Sequence, residues 1–565
     1  MMKLNIPVGV SDFEQIRKNG YYYIDKSGLI AEILKRESVA VTLITRPRRF
    51  GKTLGMSMLA NFLDIRKDSR ELFDNLSISK NVDLCDKWMN KCPTIFLSFK
   101  DVDGLNFDSA YDMLAATIAD LYKEHLYLLD SDKINEYDKE IIKHIVENRA
   151  TVTEVKKSLY TLIKAMKMHY GSPAILLLDE YDVPIAKASS NGYYVEMLDI
   201  IKALMSTALK DNTSLKFAVM TGCMRIAKES IFTGTNNMVS DSIVASGLNE
   251  YFGFTQDNVE KLLYDADMLN HADDIKEWYD GYHFGKFDVY CPWDVMNYIR
   301  DLKNDITGKP VSYWKNTSDN AIIRSFIDIA GNSIAPKLET LMAGGYIIQR
   351  VEENLTYDFL HSSEDNLWSV LYLTGYLTKV RENELNEELP DDMTALIIPN
   401  KEIQEIFETT VQKWFVDSAK NSDRKSLFDA VWSGNIEKLT KELNTLLRMT
   451  ISYHDYGEDF YHAFLAGIFA GAGYMVESNK EHGEGRSDIV VMDSRGGRVA
   501  IFEAKYVKEV SRMNNACEDA ILQIKEKMYA EDFSDSYDQV LVYGIAFYKK
   551  RCMVKCADKM TTFAD

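Results

Sequence analysis

The chain is poor in cysteine, proline and long apolar runs, and each shortage closes a class of protein. Seven cysteines (Cys85, Cys92, Cys223, Cys291, Cys517, Cys552 and Cys556) are spread over 565 residues. They form no CxxC pair and no Cys/His cluster with zinc spacing, which leaves no zinc-ribbon signal. Their number is odd and their spacing irregular, as in a protein of a reducing cytoplasm. No apolar run reaches about 18 residues, so no membrane span is expected. The first residues, MMKLNIPVGVSDFEQ, lack a basic stretch followed by an apolar core and do not read as a signal peptide. Glycine (29) and proline (10) are not enriched, and no low-complexity tract stands out. An excess of positive charge is also missing. Lys and Arg number 66 against 86 Asp and Glu, a net charge of −20. That balance argues against a protein that coats nucleic acid without specificity.

What is present is a globular composition, 46% hydrophobic, with a length that suggests three or four domain-sized units. Two constellations carry chemistry. Near the end, Gly485-Arg486-Ser487-Asp488 precedes a short apolar strand, Ile489 to Met492. A turn, Ser494-Arg495-Gly496-Gly497, leads into a second strand, Val499 to Lys505. With a hairpin centred on Arg495-Gly496, residues pair when their numbers sum to 991, and Asp488 faces Glu503. Glu503 and Lys505 share a face by the two-residue period. Two acids that close repel unless a cation lies between them. Hard oxygen ligands suit Mg²⁺ or Mn²⁺. Such an ion polarises a phosphodiester and lowers the pKa of bound water, and Lys505 would orient that water or stabilise developing charge.

The order Asp, then Glu-x-Lys, after a helix resembles the PD-(D/E)XK nuclease superfamily. The resemblance implies that Glu458, in Glu458-Asp459-Phe460-Tyr461-His462, is the helix acid that completes the metal site with Asp488 and Glu503. It also places Gln523, on a following helix expected over Asp519 to Tyr529, at a polar position near the metal. His462 reads as a packing or hydrogen-bonding residue. A nuclease of this charge needs a local basic strip, and Arg495, Arg498, Lys505, Lys508 and Arg512 could form one.

The second constellation runs Thr42 to Leu54. An apolar strand enters a loop, and a helix starts near Lys52. Gly51-Lys52-Thr53 at a helix N-terminus is the phosphate-cradling end of a P-loop, where backbone N–H groups meet phosphate oxygens. Lys52 would reach the β and γ phosphates of ATP, and Thr53 would bind Mg²⁺. Arg46 occupies the position of the first P-loop glycine. The loop Arg46, Pro47, Arg48, Arg49, Phe50, Gly51, Lys52, Thr53 and Leu54 is therefore the expected nucleotide site. Downstream, Ala174 to Leu178 is a continuous apolar strand, as expected when both sheet faces are buried. It ends in Asp179, expected to hold Mg²⁺ through water, and Glu180, expected to activate the attacking water. A third strand, Leu215 to Thr221, would offer Thr221 to the γ-phosphate or the water, with Arg225 as a phosphate sensor.

The segments IPVGVSDFEQIRKNGYYYIDKSGLI, RPRRFGKT, LLLDEYDVPI, MTGCMRIAKESIFTGTNN and WYDGYHFG look like the AAA-ATPase-like family found mainly in anaerobic bacteria, which commonly carries a C-terminal PD-(D/E)XK domain. Arg46 belongs to that family's own RPRRFGKT pattern. The resemblance implies nucleotide binding.

The expected fold class is α/β: a P-loop ATPase domain over 1–235, a mainly helical region over 236–450, and a small nuclease-like domain over 451–565. Strands are placed near 39–45, 94–99, 174–179 and 215–221. The helical stretch between about 108 and 170 reads as a lid, and 334–380 as a small winged-helix-like module. Two functions compete. One is an ATP-controlled, Mg²⁺-dependent nuclease. The other is a regulatory or sensor ATPase whose nuclease-like fold only binds nucleic acid or a protein. Nucleic acid of unknown type is the expected partner. A homo-oligomer is also in view, since many such ATPases complete their sites between subunits. The location is read as cytoplasmic.

Overall fold

The computed structural model describes residues 4–225, 238–314, 340–353, 364–385, 392–420, 425–450, 458–482 and 485–557, apart from single positions within these ranges and a few isolated positions between them. The chain groups into two compact units, Met1–Asn316 with Ile348–Glu402, and Thr317–Ile347 with Ile403–Asp565. Residues 236–316 and 348–402 group with the N-terminal unit, and 403–450 with the C-terminal one.

In the first unit, β1 (Val41–Thr45), β2 (Thr94–Ser98), β3 (Ala174–Asp179), β4 (Leu215–Gly222) and β5 (Met238–Asp241) form one sheet in the order β2–β3–β4–β1–β5. Every neighbouring pair is parallel. Strands β1 and β3 are buried along their whole length, which is why they read as unbroken apolar runs. Four of the strands lie where the sequence places them, and β5 is additional. The helices between β2 and β3, Phe107–Lys123, Glu136–Val146 and Val152–Tyr170, are not a lid. Leu114, Ile118, Tyr122, Leu159, Leu162 and Met166 lie in the same apolar cluster as Leu97, Leu176 and Leu178 of the sheet. Their amphipathic stripes are buried on that sheet. Capping boxes at Asn106/Ser109 and Thr151/Glu154 start the first and last of them.

Beyond the sheet, β6 (Tyr282–Phe284) and β7 (Phe287–Val289) form an antiparallel hairpin. A three-stranded sheet joins β8 (Ile347–Arg350), β9 (Thr378–Lys379) and β10 (Met393–Ile397) in the order β8–β10–β9. The winged-helix-like module expected near 334–380 falls in part outside the described residues.

The second unit carries a five-stranded sheet, β11 (Met475–His482), β12 (Gly485–Asp493), β13 (Arg498–Tyr506), β14 (Gln539–Tyr548) and β15 (Arg551–Cys556), in chain order. Only β13 and β14 pair in parallel. The helix Met513–Glu526 makes the crossover between them, as a parallel pair requires. It starts at 513 rather than 519. Its backbone lies so close to β14 that a Cβ on Gly544 would meet the Cys517 carbonyl at 2.2 Å. Ile524 packs with Val490, Ile501 and Val542. The helix Glu458–Gly471 sets Phe469 against Phe502, with ring centroids 5.0 Å apart, and Tyr461 against Phe547 at 4.2 Å. Ile501 and Phe502 are successive strand residues and point to opposite faces, so a helix covers each face.

Candidate nucleotide site and candidate metal centre

The P-loop turn is built by Gly51, whose φ of +84° puts it in the left-handed region. It caps the helix Lys52–Leu63 without any side-chain hydrogen bond, and a Cβ added there would meet nothing within 4 Å. An open helix N-terminus with no side-chain cap favours a phosphate. The Lys52 ammonium donates to the carbonyls of Arg46 and Pro47, each at 2.9 Å. Asp179, at the end of β3, gathers three hydroxyls. Thr53 Oγ1 donates to its Oδ2 at 2.9 Å, Ser98 Oγ to the same oxygen at 3.3 Å, and Thr221 Oγ1 to Oδ1 at 2.5 Å. Glu180 follows with φ +53°. Burial chiefly, and then the charge of Asp179, raise its carboxyl above the ordinary range, while Lys52 and Arg48 oppose the shift. A raised carboxyl suits a general base. Thr53, Asp179 and the open helix N-terminus together fit Mg²⁺ and a polyphosphate.

In the second unit, the ladder between β12 and β13 runs from Ile489 opposite Phe502 to Asp493 opposite Arg498. These pairs have the expected register, and the turn between them is Ser494–Gly497. At the end of this ladder, Asp488 Oδ2 accepts the Ala504 N–H at 2.8 Å. The Glu503 carboxylate accepts a hydrogen bond from the Asp488 backbone. Lys505 Nζ lies 3.1 Å from Glu503 Oε1, and Gln523 Nε2 donates to the same oxygen. Glu503 Oε2 is buried with no hydrogen-bond partner. Burial first, and then Asp488, push the Glu503 carboxyl up to about 7, against the pull of Lys505. A buried acid with a bare oxygen beside a second acid is a donor set that fits a divalent cation.

Two family models match the chain where these two sites lie. Residues 7–232 match the family described as Predicted AAA-ATPase, and residues 456–556 match the PD-(D/E)XK nuclease superfamily. The chain carries an AAA-ATPase-like domain and a PD-(D/E)XK nuclease superfamily domain. A relative along nearly the whole length is the "Uncharacterized protein in vnfD 5'region" of Azotobacter chroococcum mcd 1, 25% identical over 558 residues and covering 97% of each chain.

In the AAA-ATPase-like domain the structure corrects several side-chain expectations. Arg46 turns away from the loop. It is 0% exposed, and its guanidinium donates to Asp241 Oδ1 at 2.8 Å and to the carbonyls of Asp241 and Thr45. Only its backbone stands in the cradle. Phe50 is likewise an anchor, packed on Tyr282 and Phe284. Pro47 packs against Gly375. Thr221 holds Asp179 through its hydroxyl. Arg48 is exposed and its charge reaches Glu180, while Leu54 and Arg225 are half-buried. Sequence reasoning missed Ser98 and Asp182. Asp182 is fully buried, and its Oδ2 accepts the N–H groups of Cys223 and Met224 at 2.9 and 3.2 Å, fixing the turn after β4.

In the nuclease-superfamily domain, Asp488, Glu503, Lys505 and Gln523 lie together. Glu458 is the first residue of its helix, and its side chain lies outside the described ones. Among the described residues, no group of three or more His, Cys, Asp and Glu has metal-holding geometry. His462, read as a packing or hydrogen-bonding residue, stands with its Nε2 2.8 Å from Asp488 Oδ2. Its place one helical turn after Glu458 was the available signal. The basic strip is reduced. Arg498 pairs with Asp493 at 2.5 Å and covers Trp432, and Lys505 pairs with Glu503.

Proposed function

We infer that the protein binds and hydrolyses ATP, and that its C-terminal domain is a Mg²⁺-dependent nuclease whose activity follows the nucleotide state. The observation that carries the nuclease half is the set Asp488, Glu503, Lys505 and Gln523 gathered at one end of a hairpin within the matched domain. Asp488 and Glu503 would hold Mg²⁺ or Mn²⁺, with Glu458 from the neighbouring helix. The bound ion would polarise the phosphodiester and acidify a water. Lys505 keeps positive charge beside Glu503 and orients the attacking water. Gln523 fixes the rotamer of Glu503, and the Ala504 N–H fixes Asp488.

In the ATPase half, backbone N–H groups at Lys52 and Thr53 bind phosphate, the Lys52 ammonium exchanges its loop carbonyls for phosphate oxygens, and Glu180 takes the proton of the attacking water. Asp179 and Thr53 would hold the Mg²⁺ of the nucleotide.

A second reading keeps the ATPase and makes the nuclease-like domain a binding module for nucleic acid or a protein. The net charge of −20 and the engagement of Arg498 by Asp493 favour it. The deciding experiment is a cleavage panel over single- and double-stranded DNA and RNA with Mg²⁺, with and without ATP, repeated with Lys505→Ala. Cleavage lost in the variant supports the nuclease. Cleavage that survives removes Lys505 from the mechanism, and no cleavage on any substrate favours the second reading.

The absence of membrane-length apolar helices among the described residues and the scattered cysteines support a reducing cytoplasm as the location. A homo-oligomer remains part of the proposal.

A further inference from the structure

The P-loop is held from outside its own strand and helix. Arg49 sits in the left-handed region, with φ +73°. A residue with a Cβ stays there only where neighbours over-determine it. Its guanidinium carbon lies 5.1 Å from the ring centroid of Trp314 and 5.7 Å from that of Trp293. Its carbonyl is 3.9 Å from Cys291 Sγ. The next residue, Phe50, is wedged against the β6–β7 hairpin, 5.0 Å from the rings of both Tyr282 and Phe284.

Trp314 is fixed in turn by two buried acids. Its indole Nε1 donates to Asp294 Oδ2 at 3.0 Å, and its backbone N–H donates to Glu402 Oε1 at 2.8 Å. Both acids are 0% exposed. The two carboxyls also meet each other. Two neighbouring buried carboxylates do not both stay ionised, but one shared proton turns the contact into a hydrogen bond. Burial raises both groups, and the charge of Asp294 raises Glu402 further. Cys291, Tyr279, Tyr282, Tyr313 and the Arg49 guanidinium complete the surroundings.

The place of this knot in the chain gives it a use. The chain leaves the first unit after Asn316 and again after Glu402. Trp314 and Glu402 stand at those two exits and are hydrogen-bonded to each other. Glu402 is also the second residue of the helix Lys401–Lys420, which continues into the residues of the second unit.

We propose that Trp314, Asp294 and Glu402 are positioning residues of the nucleotide site. Acting through Arg49, they tie the P-loop to both chain exits, so that phosphate bound at the loop and order in the helix Lys401–Lys420 strengthen each other. The inference rests on the reading that the loop binds ATP. Such coupling is reciprocal: what loosens the knot weakens nucleotide binding by the same factor that nucleotide tightens the knot.

The test uses the full chain with AMP-PNP and Mg²⁺, read by amide hydrogen exchange and by equilibrium binding. In the wild type, AMP-PNP slows exchange at the start of the helix Lys401–Lys420. Glu402→Ala, which removes the acceptor of the Trp314 N–H, abolishes that protection and weakens AMP-PNP by about tenfold, within the usual range of such couplings. Glu402→Gln keeps an acceptor for Trp314 and a donor for Asp294, and restores both readouts. Should Glu402→Ala fail to fold, Trp314→Phe, which keeps the ring over Arg49 and loses the indole donor, is read in the same way. The inference is overturned if the wild type binds AMP-PNP with no change in that helix, or if the folded variants bind and protect like wild type. A wild-type chain that binds no nucleotide brings down the ATP reading itself, and this inference with it.

Discussion

The Thr53 hydroxyl donates to the Asp179 carboxylate across 2.9 Å and joins the first turn of the P-loop helix to the end of β3. Asp179 also holds Thr221 and Ser98, so one carboxylate collects three elements of the sheet edge where phosphate would sit. The carboxyl of Glu180, the next residue, is raised by burial, and Glu180 is the proposed base. Glu180→Gln is expected to keep ATP binding within about twofold, since it removes only charge, and to lower turnover by about 10²-fold or more. Phosphate release and a binding titration on the same preparation check this. Unchanged turnover would remove Glu180 from the role of base.

Glu503 has a buried oxygen with no partner and a carboxyl pushed up to about 7. Ionised in the absence of metal, it weakens the fold. The shift from the ordinary 4.5 corresponds to about 3 kcal/mol at neutral pH, an upper figure since buried sites relax. Glu503→Gln is therefore expected to be more stable than wild type in EDTA, and to lose the stabilisation that Mn²⁺ or Mg²⁺ gives the wild type. Thermal melts with and without metal measure both effects. A variant that still gains stability from the ion would take Glu503 out of the metal set.

Much of this was legible in the sequence, and the rest was not for identifiable reasons. The β12–β13 register follows from a hairpin turn centred on Arg495-Gly496 between two short apolar strands, a local rule. The β1, β3 and β4 ends follow from runs that a buried parallel sheet imposes. The Arg46 rotamer depends on Asp241, 195 residues away, and no local pattern encodes such a pair. The helix start at Met513 has no side-chain cap, since Arg512 makes no capping hydrogen bond. An acid such as Asp519 then reads as the start, because Asp is a favoured cap. The grouping of 348–402 with the first unit rests on contacts of long sequence separation, such as Glu402 with Trp314.

Asp241 holds two guanidinium groups, Arg46 at 2.8 Å and Arg36 at 3.1 Å. Asp241 is the carboxylate partner of Arg46, which is wholly buried. Burial chiefly lowers the Arg46 pKa, with the neighbouring Arg36 adding to it, and Asp241 opposes that. Asp241→Ala strands a buried charge and is expected to cost about 3–5 kcal/mol. It should also weaken ATP, because the Arg46 carbonyl is one of the two that hold Lys52. Urea denaturation gives the first number and a nucleotide titration the second. A loss below about 1 kcal/mol would show that Arg46 finds other partners.

His125 gives a pH dependence whose sign can be worked out. The ring is buried, its Nδ1 is 3.0 Å from the Tyr127 hydroxyl, and its Nε2 is buried with no hydrogen-bond partner. Burial chiefly, with the neighbouring Arg66, lowers its pKa from 6.5 to about 3. The folded chain therefore keeps the ring neutral where the unfolded chain has already taken up a proton. Between about pH 6.5 and pH 3 the unfolded state binds more protons, so stability falls as pH falls, by up to about 1.4 kcal/mol per pH unit for this one group. Above pH 6.5 the group contributes no slope. His125→Phe removes the titration but keeps an aromatic ring beside Tyr127. The difference in unfolding free energy between wild type and variant, measured in urea at pH 7.5, 6, 5 and 4, is expected to be flat at the top of that range and to shift in favour of the variant at each step below it. A difference that stays constant across all four pH values would mean that the ring titrates in the folded chain as it does in the unfolded one.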